Sequence, residues 1–123
     1  MATTDKEQEI VSVMEGIVGK NRVTNSIFEK IKESLDPFPY HASRENLPLV
    51  VVLPERKEQI SEIFKYANKE KVPVFVRGSG TQLAGSSRPH IPGIMLNTSR
   101  LTNFEIREDY GFFESGPGVR VGE

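Results

Sequence analysis

The chain has 123 residues, 37% hydrophobic and 27% charged, with a formal net charge of −1. That length fits one domain, and the mixed charge without a basic face argues against nucleic-acid binding. The absence of cysteine rules out disulfides, thiolate chemistry and zinc–thiolate sites and fits the cytoplasm, while two distant histidines, His41 and His90, argue against a metal site. No apolar run approaches the ~20 residues of a membrane span, and the polar start is unlike a signal peptide.

Residues 1–6 read as a frayed tail. From Glu7 to Val18, Ile10, Val11, Met14, Ile17 and Val18 recur at helical spacing, and Gly19 is the stop. A second helix is expected from Ser26, where Ser26-Ile27-Phe28-Glu29 matches a capping box. Ile27, Phe28, Ile31 and Leu35 share one face, and Asp36-Pro37 ends the helix. Pro37 to Leu47 reads as a polar connector anchored by Phe38 and Tyr40, with His41 a connector residue.

Leu49 to Leu53 is an apolar, largely β-branched run between Pro48 and Pro54, the signature of a strand buried on both faces. Ile60, Ile63, Phe64 and Ala67 then form a helical stripe, with the charges from Glu55 to Glu70 on the solvated face. Phe64 and Tyr66 are read as packing residues. Pro73 to Val76 is the next strand, giving a βαβ unit. Ile94-Met95-Leu96 is a third strand, Asn97 to Arg100 a turn, and 102–106 with 111–115 an antiparallel ribbon.

The long loop at 77–93 is the most informative segment. It opens Arg77-Gly78-Ser79-Gly80-Thr81-Gln82-Leu83-Ala84-Gly85-Ser86-Ser87 directly after a strand. Gly78 and Gly80 permit positive φ and leave no Cβ in the way, so backbone N–H groups can turn toward an anion. Ser79, Thr81, Ser86 and Ser87 add hydroxyl donors. The loop lacks the lysine of a Walker motif and the spacing of G-x-G-x-x-G. Its place at a strand's carboxyl end is where ligands gather in α/β sheets. Arg77 has three open assignments: balancing ligand charge, pairing with Glu105 or Asp109, or facing solvent. Arg88 and His90 are read as solvated.

Pro48 to Pro54, the helix around Glu58, Ile60 and Ile63, the loop from Arg77 to Gly85, and Gly93-Ile94-Met95-Leu96-Asn97 with Ser99-Arg100-Leu101 resemble one family. It is the FAD-linked oxidases of the vanillyl-alcohol oxidase and para-cresol methylhydroxylase type, nearest its branch of glycolate oxidases and D-lactate dehydrogenases. Gly116-Pro117-Gly118-Val119 resembles a later glycine turn more briefly. The resemblance implies an α/β fold: a small βαβ flavin subdomain with a mainly parallel sheet, two amino-terminal helices and a carboxyl-terminal β ribbon. It implies a helical extension over 1–47 and an incomplete first half of a flavin domain over 48–123.

The implied cofactor is FAD, its pyrophosphate held by Arg77, Gly78, Ser79, Gly80, Thr81, Gln82, Leu83, Gly85 and Ser86. Thr81 stands where some relatives carry a flavin-linked histidine, which implies noncovalent binding. The implied reaction is hydride transfer from a 2-hydroxy acid to flavin N5. Substrate and catalytic residues cannot be mapped onto this sequence, so a chain inactive alone, completed by further sequence or a second chain, is expected. A non-catalytic binding or assembly module, and a pocket for another nucleotide, remain the alternatives. Val119, Val121 and part of the 103–115 ribbon are expected to be exposed, disordered or buried by self-association.

Overall fold

Thr4 Oγ1 accepts the amide of Glu7 at 3.2 Å and starts α1 (Asp5–Val18), so order begins earlier than the frayed tail expected there. Gly19 closes α1 at φ 91°, with its N–H on Glu15 O at 2.9 Å. The computed structural model describes residues 4–37 and 43–122. The expectations placed on Phe38, Tyr40 and His41 lie outside the described residues.

A short strand unforeseen in the sequence, β1 (Val23–Thr24), precedes α2 (Ile27–Glu33). Then follow β2 (Val50–Val52), α3 (Lys57–Glu70), β3 (Val74–Arg77) and β4 (Ile94–Asn97). The hairpin of β5 (Phe104–Arg107) and β6 (Phe112–Ser115) ends the order. The main sheet runs β1-β2-β4-β3, with β1 antiparallel to β2 and the other pairs parallel. β2 and β3 are thus not neighbours; β4 lies between them, pairing Val50 with Ile94 on one side and Val74 with Ile94 on the other. The mainly parallel sheet and the separate ribbon agree with the fold class read from the sequence.

Alternate residues of a strand face opposite sides of a sheet. Val50, Val52, Ile94 and Leu96 join Ile10, Met14 and Val18 of α1 and Ile63 and Ala67 of α3 in one buried cluster. Residues on both sides of position 48 therefore share one core. Gln59 ties α3 to α1: its Oε1 accepts the amides of Glu55 and Arg56, and its Nε2 donates to Ile17 O at 3.3 Å. Tyr66 packs against this core, while Phe64 is 44% exposed. Gly118 allows a close backbone crossing, since a Cβ there would overlap the carbonyl oxygens of Thr98 and Ser99.

The opposite face carries Val51, Phe75, Met95, Arg77 and Asn97, and α2 packs beside β2. Here the helix departs from expectation. Ser26 sits at its start but makes no side-chain capping bond. Ile27, Phe28, Ile31 and Leu35 do share a face, but it points outward, with Phe28 73% exposed. The buried residues are Lys30, Glu33 and Ser34. Lys30 Nζ meets Glu7 Oε1 at 2.6 Å, and Ser34 Oγ donates to Lys30 O at 2.7 Å. Buried charges need partners, and α1, β3 and β4 supply them to this side of α2.

The hairpin is apolar and open to solvent: Phe104, Ile106, Phe112 and Phe113 are 54%, 62%, 54% and 66% exposed. Val121 is fully exposed and Val119 half-buried.

The inverted helix yields a contrast in stability. Ile63→Ala, at a site fully enclosed by the core, is expected to cost about 2–5 kcal/mol in urea unfolding. Phe28→Ser is expected to change stability by less than about 0.5 kcal/mol. A large loss on Phe28→Ser would place that face of α2 against the core after all.

Candidate functional site

β2, β4 and β3 run parallel, so their carboxyl ends meet at one edge. At that edge Arg77 of β3 pairs with Asn97 of β4, and Thr98 N donates to Arg77 O at 2.9 Å. Residues 78–93 then connect the two strands without regular structure. The same edge holds a cleft of about 610 Å³ whose walls include Glu33, Val51, Asn97, Ser99 and Thr102.

Arg77 does not pair with Glu105 or Asp109, nor does it face solvent. It is 9% exposed, and its Nε lies 3.2 Å from Glu33 Oε2. Glu105 instead pairs with Arg107 on its own strand. Period-2 alternation explains the difference, because Arg77 points to the α2 face of the sheet, away from the hairpin's charges.

Gly80 takes φ +71° and Gly85 φ +70°, whereas Gly78 does not take a positive φ. The turn at Gly80 also runs directly over the guanidinium, where a Cβ would overlap Arg77 Nη2. A left-handed residue seated against the buried guanidinium is a position that favours glycine. At Gly78 a Cβ would lie 3.8 Å from Thr98 Oγ1, an ordinary contact.

Ser79 and Thr81 bring their hydroxyl oxygens to 3.3 Å, on the exposed side of the loop. Ser86 Oγ donates to Gln82 Oε1 at 2.7 Å. Leu83 is 74% exposed. Arg88 is not solvated as expected: its Nη1 lies 3.7 Å from Asp36 Oδ1 and its side chain is 11% exposed. His90 is exposed but stacks edge-on against Phe75, with ring centroids 5.3 Å apart.

Three buried polar atoms of this segment have no hydrogen-bond partner within the described chain: Arg77 Nη1, Gln82 Nε2 and Ser87 Oγ. Buried donors without partners are costly and uncommon in native proteins. All three can donate a hydrogen bond, and a phosphate-bearing group supplies acceptor oxygens of the kind that they lack. Sequence reasoning singled out the loop but missed Glu33. That residue sits in a helical stretch otherwise read through its apolar face, and no local spacing links it to position 77.

Among the described residues, no His, Cys, Asp and Glu cluster suits a metal ion. No helix there is long and apolar enough to cross a membrane.

A family model described as FAD binding domain matches residues 48–123. A D-lactate dehydrogenase of Archaeoglobus fulgidus is 41% identical over 83 residues, covering 68% of this chain and 19% of that protein. Glycolate oxidase subunit GlcD of Escherichia coli K12 is 42% identical over 53 residues, covering 43% of this chain and 11% of that one. The GlcD subunit of Bacillus subtilis is 28% identical over 120 residues, covering 97% of this chain and 24% of that protein. The chain thus spans less than a quarter of the length of these curated relatives. Among solved structures, 4-ethylphenol oxidase from Gulosibacter chungangensis superposes with a TM-score of 0.79 at 23% identity. A p-cresol methylhydroxylase does so with 0.78 at 19% identity. Each covers 96% of this chain, which itself matches 23% and 24% of those chains. At these identities the structural likeness concerns the fold.

The two loop glycines separate in a substitution test. Gly80→Ala is expected to destabilise the chain by about 1–3 kcal/mol in urea unfolding, from backbone strain and overlap with Arg77. Gly78→Ala is expected to stay within about 1 kcal/mol of the parent. Equal effects at the two positions would contradict the assigned turn.

Proposed function

Since this chain belongs to the FAD binding domain family, with FAD as its cofactor, we propose that the loop 77–86 receives the FAD pyrophosphate. The observation that carries this reading is the left-handed turn at Gly80 over the buried Arg77 guanidinium, whose Nη1 has no partner among the described residues, at the carboxyl edge of a parallel sheet. A pyrophosphate carries two negative charges and needs several convergent donors. Backbone N–H groups over Gly78 to Thr81 provide them without steric cost. The hydroxyls of Ser79 and Thr81 and the amide of Gln82 complete the set, with Ser86 holding Gln82 through its Oε1 and Gly85 and Leu83 shaping the return of the chain. Arg77 contributes from below the loop, its charge shared with Glu33. Thr81 has neither a ring nitrogen nor a thiol to bond to flavin, so in this reading the loop holds the cofactor noncovalently.

Bound FAD supplies a two-electron hydride acceptor. The activity we assign to the whole protein is oxidation of a 2-hydroxy acid of the glycolate or D-lactate type, from the names of the curated relatives. Within it, residues 48–123 act as the first half of the flavin domain and residues 1–47 as its helical extension. The other flavin contacts and the substrate site belong to sequence beyond these 123 residues, in the same protein or in a second chain, in a cytoplasmic setting. The apolar hairpin suits burial by that second part. The same exposed hairpin favours a second reading, a non-catalytic assembly module that keeps the fold.

Titration of the isotope-labelled chain with FAD tests the proposal. Amide shifts are expected to cluster on residues 77–86, with weak affinity, and Gly80→Val is expected to abolish them. Glycolate and D-lactate are expected to give no turnover with this chain alone. No shifts at saturating FAD would favour the assembly module, and shifts elsewhere would mean that the loop is not the cofactor site.

A further inference from the structure

Glu33 lies before residue 48, where the family match begins, yet it reaches the base of the loop. It is 6% exposed. Its Oε2 accepts Nδ2–H of Asn97 at 2.9 Å and faces Nε of Arg77 at 3.2 Å. One carboxylate oxygen from α2 therefore ties together the last residues of β3 and β4. Gly80 covers the guanidinium at Nη2, and Nη1 is left without a partner in the described chain. The Arg77 head group is thus held at one nitrogen by Glu33, roofed at the second by the loop, and buried without a partner at the third.

We propose that Glu33 is a positioning residue of the FAD site, setting the Arg77 guanidinium under Gly80 and through it the path of the loop backbone. The proposal rests on the reading that this loop receives FAD. A guanidinium is a rigid planar fork on a long flexible stem, so its placement depends on what clamps it. Glu33 is such a clamp, and α2 is itself anchored by the buried Lys30–Glu7 pair. Gly80 rests on the clamped plane. If the guanidinium swings away, the left-handed turn loses its floor and the donors above it lose alignment. Preorganised donors bind tightly only while the groups behind them are fixed.

Charge alone predicts the opposite sign, which makes the idea testable. A carboxylate near an anionic ligand repels it. If Glu33 acted only through its charge, neutralising it would tighten FAD binding.

The experiment uses the full 123-residue chain and three readouts: FAD affinity by titration, melting temperature, and amide signals of the FAD-free protein. Glu33→Gln keeps the shape and can still accept from Asn97. It is expected to weaken FAD on the order of tenfold, the scale carried by residues that orient ligand-holding groups. It is also expected to move the amide signals of Gly78 to Thr81 before any FAD is added. Glu33→Asp keeps the charge but draws it back by one methylene, and an intermediate effect in the same direction is expected. The shortened variant also carries the test if Glu33→Gln does not fold. Unchanged or tighter FAD binding would overturn the proposal. So would a lower melting temperature with unmoved loop signals and unchanged affinity, which describes a purely structural pair. If the parent chain binds no FAD, the cofactor reading fails by itself. The FAD-free amide signals then still decide whether Glu33 governs the loop: unmoved signals overturn that coupling.

Discussion

β4 runs between β2 and β3 with all three strands parallel, and most other features follow from that placement. Ile94, Met95 and Leu96 are buried on both faces, so β4 has to be apolar up to its last residue, Asn97. Parallel strands bring their carboxyl ends to one edge, and the chain must travel a long way to make each connection. α3 is one such connection; the irregular segment 78–93 is the other. The second connection starts at Arg77, beside the end of β4 at Asn97, and it encloses the polar residues of that edge. Enclosed polar groups require partners. Glu33 answers that requirement for both residues at once.

The short helix α2 shows the same constraint from the other side. Its apolar residues are turned to solvent and its charged ones inward. Burial of a lone carboxylate or ammonium is far more costly than exposure of an isoleucine. The orientation is therefore stable only because Lys30 finds Glu7 and Glu33 finds Arg77 and Asn97. Such pairs offset a large desolvation cost and add little net stability, but removing one partner leaves a buried charge uncompensated. They tie α2 to α1 and to the carboxyl edge of the sheet, where this loop begins. The outward apolar face of α2 and the bare hairpin are surfaces left uncovered among the described residues.

The central elements were readable in the residues. Leu49 to Leu53, bracketed by two prolines, and the Ile60, Ile63, Phe64, Ala67 stripe state their periods locally, and the structure has β2 and α3 there. The ribbon was readable as well, displaced by a residue or two at its ends. The glycine loop stood out because its composition breaks so sharply from the strand before it. What escaped reading depends on distant partners. Ser26 to Glu29 has the letters of a capping box, but the helix turns so that those side chains do not close it. β1 is two residues long, Val23 and Thr24, and exists only because β2 offers an edge. The Arg77–Glu33 pair joins positions far apart in sequence, and nothing in local spacing selects Glu33 over Glu105 or Asp109.

The central claim is that loop backbone amides donate to the pyrophosphate of FAD. Phosphorus NMR of FAD bound to the nitrogen-labelled chain tests it most directly, because a hydrogen bond from an amide to a phosphate oxygen transmits a scalar coupling between the two nuclei. The account predicts couplings from amides within Gly78 to Thr81 to the two pyrophosphate phosphorus nuclei. Bound FAD whose phosphorus nuclei couple to none of these amides, with its contacts confined to the adenine or flavin rings, would contradict it.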